Sequence, residues 1–111
     1  MAEEVKIIDS LWLMKTDKGY KIGLTNDAQE ELGNITFATL PKVGQVLKKG
    51  DSLIELEAEK AVSEFSTPIS GTIIAVNEAA ENEPSLLDDS TQTNAWIAVL
   101  TDVNDEELNQ A

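Results

Sequence analysis

One lysine, Lys60, stands in a run of carboxylates: Leu53-Ile54-Glu55-Leu56-Glu57-Ala58-Glu59-Lys60-Ala61-Val62-Ser63-Glu64-Phe65. Before it, Ile54, Leu56 and Ala58 alternate with Glu55, Glu57 and Glu59, the period of a half-buried strand. Past it, Val62 and Phe65 resume the apolar content. The run predicts a hairpin with Lys60 at its tip. An amine so placed is a good substrate for acylation by another protein. It is poorly suited to Schiff-base or general-base work, because neighbouring carboxylates hold it in the charged form. Position alone also fits a solvated charge that discourages edge pairing.

Other chemistry is scarce. The chain has no histidine and no cysteine, so the commonest general base, the commonest metal ligand and the thiol nucleophile are missing. No disulfide framework is possible. No G-x-S-x-G elbow occurs; the nearest run, Ile69-Ser70-Gly71, reads as a turn. Acids are so plentiful that carboxylate pairs arise by chance, and their spacing identifies no acid–base couple. The expectation is a protein that is not an enzyme.

The eight basic residues are all lysines, against 21 Asp and Glu, for a net charge of −13. A nucleic-acid binder needs a basic face to displace counterions, so nucleic acid is excluded as a partner. No basic residue follows Lys60, whereas residues 61–111 carry Glu64, Glu78, Glu81, Glu83, Asp88, Asp89, Asp102, Asp105, Glu106 and Glu107. Such a field serves solubility or attracts basic partners over long range, raising association rate more than affinity. No apolar run is long enough to span a bilayer. The start, Met1-Ala2-Glu3-Glu4-Val5, lacks the basic and apolar regions of a signal peptide. A cytoplasmic protein without membrane contact is expected.

The elements that must hold Lys60 read as β. Strand-like segments fall near 5–8, 11–16, 19–24, 35–40, 52–58, 61–66, 72–77 and 96–101. Asp17-Lys18-Gly19, Pro41-Lys42-Val43-Gly44, Lys49-Gly50-Asp51 and Pro68-Ile69-Ser70-Gly71 mark turns between them. Thr25 or Asn26 can cap a helix through Leu32, with Gly33 at its end and capping-box spacing from Asn26 to Gln29. Pro84 suits the first position of a second helical piece over Ser85-Leu86-Leu87. Residues from about 103 to 111 read as a polar tail or short helix. At 111 residues and 41% apolar content, one folded domain spanning 1–111 is expected. Segments 44–53 and 70–78 form a weak internal echo on either side of the lysine hairpin. They suggest a barrel with approximate two-fold symmetry.

Three blocks carry a family resemblance. Gly23-Leu24-Thr25-Asn26-Asp27-Ala28-Gln29-Glu30-Glu31-Leu32-Gly33, then Phe37-Ala38-Thr39-Leu40-Pro41-Lys42-Val43-Gly44, then the hairpin with Val62 to Ile73, stand in the order and spacing of glycine cleavage system H proteins. The chain resembles that family from about Leu11 to Leu100. The resemblance implies a mainly β fold: a flattened barrel or sandwich of two antiparallel sheets, of the lipoyl/biotinyl-carrier type, with two or three short helices. It implies lipoic acid attached covalently to Lys60, with Glu59 and Ala61 as turn neighbours. Glu57 and Ser63 would help a lipoate-protein ligase or lipoyltransferase recognise the turn. The missing cysteine and histidine then make sense, since a cofactor brings the sulfurs. Biotin acceptors usually flank the lysine with methionine, which Glu59 and Ala61 do not match.

The chain departs from the family at Leu11-Trp12-Leu13, where H proteins commonly carry a His-Glu-Trp-like run. It departs again at Thr93-Asn94-Ala95-Trp96, commonly glycine-rich. These departures resemble the short H-like proteins found beside lipoate ligases, macrodomain proteins and sirtuin-class ADP-ribosyltransferases. That variant implies a lipoate relay or redox role, with reversible ADP-ribosylation of an acidic residue. Asp27 is the candidate, although a carboxylate there also suits a helix N-terminus. An authentic H protein would instead shuttle an aminomethyl group among glycine decarboxylase, aminomethyltransferase and dihydrolipoamide dehydrogenase. Without the resemblance, an unmodified acidic interaction module remains the competing function.

Overall fold

A computed structural model describes residues 5–8, 10–88 and 94–101. Nine strands arise among them. Strands β1 (Val5–Ile8), β2 (Leu11–Lys15), β3 (Tyr20–Leu24), β9 (Trp96–Thr101), β8 (Gly71–Val76) and β5 (Val46–Leu47) form one sheet in the order β1-β2-β3-β9-β8-β5. Strands β4 (Ile35–Thr39), β6 (Ser52–Ala58) and β7 (Val62–Ser66) form a second, in the order β4-β6-β7. Every pairing is antiparallel. The expected sandwich of two antiparallel sheets is found; the sheets stay separate, and no closed barrel forms.

Side-chain alternation explains the assembly. In β6, Leu53, Ile54 and Leu56 are buried while Glu55 and Glu57 face solvent. The inner faces of both sheets meet in one core that holds Leu13, Ile22, Ile54, Leu56, Ile73 and Leu100. In β2, by contrast, Leu11, Trp12, Leu13 and Met14 are all buried. Trp12 lies flat against Gly23, where an added Cβ would sit 2.4 Å from the indole Cζ2 and 2.4 Å from Ala95 O. Only glycine leaves room for the ring.

The helix expected after Thr25 is α1 (Asn26–Leu32), and Thr25 is its N-cap. The Thr25 Oγ1 accepts from Ala28 N–H at 3.2 Å and donates to Ser10 O at 3.2 Å, tying the helix start to the β1–β2 turn. Asn26 and Gln29 do pair, but side chain to side chain at 2.8 Å. Gln29 Nε2 also donates to Leu87 O at 2.7 Å, anchoring the helix to the expected helical piece, a 3-10 helix over Pro84–Asp88. Two elements were not expected. Strand β5 has only two residues. Helix α2 (Glu78–Asn82) follows the second echoing segment; its Ala80 is buried, which gives the turn a tertiary anchor. The two echoing segments are direct neighbours: Val46 pairs with Thr72 and Leu47 with Gly71. They close the base of the lysine hairpin. The expected tail over 103–111 lies outside the described residues.

Candidate functional site

Strands β6 and β7 run antiparallel from Ser52↔Ser66 to Glu57↔Val62, and Ala58 N–H donates to Ala61 O across the turn at 2.9 Å. Glu59 and Lys60 are therefore the tip, and both are exposed, as is Ala61. The tip is docked onto the C-terminal end of α1. A helix leaves its last four carbonyls without intrahelical partners. Gln29 O accepts from the capping Gly33 N–H at 2.9 Å. Lys60 serves two more: its N–H donates to Leu32 O at 3.0 Å and its Nζ to Glu30 O at 3.1 Å. Helix α1 has no basic residue in its own last turn, so Lys60 supplies the cation that a helix C-terminus favours. Beside it, Glu59 N–H donates to Asn34 O at 2.8 Å, and Asn34 Nδ2 donates to Glu59 Oε2 at 2.9 Å.

Register separates the remaining site candidates. Glu57 opposes Val62 on the outer, solvent face of the small sheet. Ser63 opposes the fully buried Leu56, so it sits on the inner face, half-buried. Glu57 and Ser63 thus flank the turn from opposite sides. Asp27 is exposed in the first turn of α1, about 8 Å along the axis from the end that meets Lys60, at 1.5 Å per residue.

The outer face of the small sheet holds residues that sequence reasoning missed. Phe37, Glu57 and Val62 form one cross-strand row, with Phe37 55% and Val62 70% exposed. The next row is Thr39, Glu55 and Glu64. Like charges directly opposite destabilise a strand pair, so Glu55 against Glu64 works against hairpin stability. The pattern is an apolar pair bordered by three carboxylates, next to the lysine tip. The signal in the sequence was weak: Phe37 and Val62 read as ordinary strand residues until register placed them outside.

A cleft of 570 Å³ opens further along the hairpin, walled by Ile8, Leu11, Phe65 and Pro68 with Lys49 and Glu64. Among the described residues, no group of three His, Cys, Asp or Glu could hold a metal ion, and no helix is long and apolar enough to cross a membrane. The arrangement offers one exposed primary amine on a braced turn, beside a face suited to a protein partner. It fits a covalent attachment at Nζ, because Lys60 is at the surface and, among the described residues, its Nζ has a single, neutral partner.

The family model described as glycine cleavage H-protein matches residues 4–111. A glycine cleavage system H protein of Listeria welshimeri is 41% identical over 97 residues, covering 87% of this chain and 78% of that protein. A probable glycine cleavage system H protein of Thermococcus gammatolerans is 46% identical over 104 residues, covering 92% and 77%. The crystal structure of a glycine cleavage system H protein from Mycobacterium marinum superposes with a TM-score of 0.75 at 28% identity, covering 96% of this chain and 94% of that one.

Proposed function

The chain belongs to the glycine cleavage H-protein family, and on that premise we propose that it is a non-enzymatic carrier with lipoic acid attached covalently to Lys60. Proteins of this family carry lipoate on a lysine. The observation that carries the assignment to Lys60 is its place at the exposed tip of the β6–β7 hairpin. Charging proceeds in two balanced steps on a lipoate-protein ligase. Lipoate and ATP give lipoyl adenylate and pyrophosphate. The neutral Lys60 amine then attacks the lipoyl carbonyl, forming the amide and releasing AMP and a proton. Lys60 must leave Glu30 O for that attack. Glu57 presents a carboxylate to the ligase on the outer face, and Ser63 helps the ligase recognise the turn from the inner side. Glu59 and Ala61 frame the amine. An ATP-dependent charging step fits a cytoplasmic protein.

When bound, lipoate supplies a dithiolane that can be opened by reduction and reclosed by oxidation. The chain supplies attachment, reach and a docking face. The departures at Leu11-Trp12-Leu13 and Thr93-Asn94-Ala95-Trp96 favour an H-like relay in lipoate transfer or redox response. In that role the exposed Asp27 is the acceptor for a sirtuin-class ADP-ribosyltransferase, reversed by a macrodomain protein. A second reading, the aminomethyl shuttle among glycine decarboxylase, aminomethyltransferase and dihydrolipoamide dehydrogenase, is favoured by the 41% and 46% identities to named H proteins.

The test is intact mass after incubation with lipoate, ATP and a purified ligase. The wild-type chain should gain one lipoyl group, and Lys60→Ala none. An unchanged wild-type mass, or a charged Lys60→Ala chain, rejects the carrier assignment. Robust glycine decarboxylation by the charged protein with its partner enzymes would select the shuttle over the relay.

A further inference from the structure

The tip of the β6–β7 hairpin does not rely on its own two strands for its position. Besides the Lys60 Nζ contact to Glu30 O, three hydrogen bonds join it to residues 32–34: Lys60 N–H to Leu32 O at 3.0 Å, Glu59 N–H to Asn34 O at 2.8 Å, and Asn34 Nδ2 to Glu59 Oε2 at 2.9 Å. Both turn amides of the tip are thus donated to carbonyls about 25 residues earlier in the chain. Between the two accepting carbonyls sits Gly33, with φ +76°, a conformation that L side chains rarely adopt. A Cβ added there would lie 3.3 Å from Lys60 Cγ and 3.4 Å from Glu59 Cβ. The backbone of Gly33 therefore lies closely against the stem of the lysine that the carrier reading would modify.

We propose that Leu32-Gly33-Asn34 is a positioning element for Lys60, with Asn34 and Gly33 as positioning residues for its acylation; the proposal rests on the carrier reading above. A two-residue tip held only by the strands that lead into it has many accessible orientations. An acylating enzyme would have to freeze one of them, and ordering a residue carries an entropic cost. The α1 end pre-orders the backbone of Glu59 and Lys60, so only the lysine side chain has to be gathered in. Preorganisation of this kind improves binding by lowering the ordering cost, without adding any contact to the partner. Neither Asn34 nor Gly33 need touch the enzyme.

The experiment compares wild type, Asn34→Ala, Asn34→Asp and Gly33→Ala. Two quantities are read: kcat/KM for charging by a lipoate ligase with lipoate and ATP, and hydrogen exchange at the Glu59 and Lys60 amides. A third, acylation of Lys60 by an N-hydroxysuccinimide ester without enzyme, controls for access. Asn34→Ala should lower kcat/KM by about tenfold, the weight of one hydrogen bond to a charged acceptor. Asn34→Asp should fall further, because it sets a carboxylate against Glu59. The Glu59 and Lys60 amides should exchange faster in both, while the enzyme-free reaction is not slowed. Asn34 is exposed, so its variants keep the test valid if Gly33→Ala folds poorly. Charging of the Asn34 variants at the wild-type rate, with their tip amides exchanging faster, overturns the proposal. So do wild-type tip amides that exchange as fast as those of the variants. A wild-type chain that is never charged overturns the carrier reading itself, a result visible before any variant is made.

Discussion

In β2, the neighbours Leu13 and Met14 point to opposite faces of their sheet, and both are buried. In β6, the neighbours Leu56 and Glu57 also point to opposite faces, and only Leu56 is buried. The six-stranded sheet is packed on both sides around β2, β3 and β9. The three-stranded sheet packs on one side and offers the other to solvent. Around these three strands the larger sheet tolerates little change on either face. The smaller one carries a face free of packing constraints, and that face holds the residues least explained by stability: Phe37, Val62 and the opposed Glu55 and Glu64.

Substitutions can break this contrast. The largest effects should come from truncating buried side chains. Leu13→Ala and Met14→Ala should each lower unfolding free energy by about 3 kcal/mol in urea titrations, the usual range for a large side chain lost from a core. In β6, Leu56→Ala should cost about as much, but Glu57→Ala should stay within about 0.5 kcal/mol. A neutral Met14→Ala would show that the outer face of the large sheet is not packed. Gly23→Ala sharpens the point at one atom. The new methyl would collide with the Trp12 ring and Ala95 O, and a loss of about 2 kcal/mol is expected from overpacking. The smallest effect should have the opposite sign. Glu64→Lys places a cation opposite Glu55 and should raise stability by about 0.5 kcal/mol. Destabilisation by Glu64→Lys would mean that the carboxylate has a structural partner after all.

The small sheet was also the more legible of the two. Strand β6 could be read because Ile54, Leu56 and Ala58 alternate with glutamates, and its turn was marked by the break in that alternation. Strand β2 was legible only as an apolar run, and nothing in Leu11-Trp12-Leu13-Met14 announced that both of its faces would be covered. Thr25 was readable as a cap because a hydroxyl before a helix has a local job. Strand β5 was not readable, since Val46-Leu47 is too short to show any period. Helix α2 was missed because its support is tertiary: with no side-chain cap, it gains its anchor from the burial of Ala80. Lys60 itself stood out, but its seat on α1 did not. That contact joins residues 30 apart through backbone carbonyls, which every residue type possesses and no motif records.

Strand β9 carries a consequence for how the molecule is made. It lies between β3 and β8, pairing Ile22 with Ala98 on one side and Ile73 with Leu100 on the other. Until residues 96–101 leave the ribosome, two long edges with unpaired amides stand open in the nascent chain, a state prone to wrong pairing. The hydrogen bonds that hold the hairpin bearing Lys60 go only to segments already synthesised. During translation, every hydrogen-bond partner of the Lys60 turn is therefore present while the sheet beneath it still waits for its central plank.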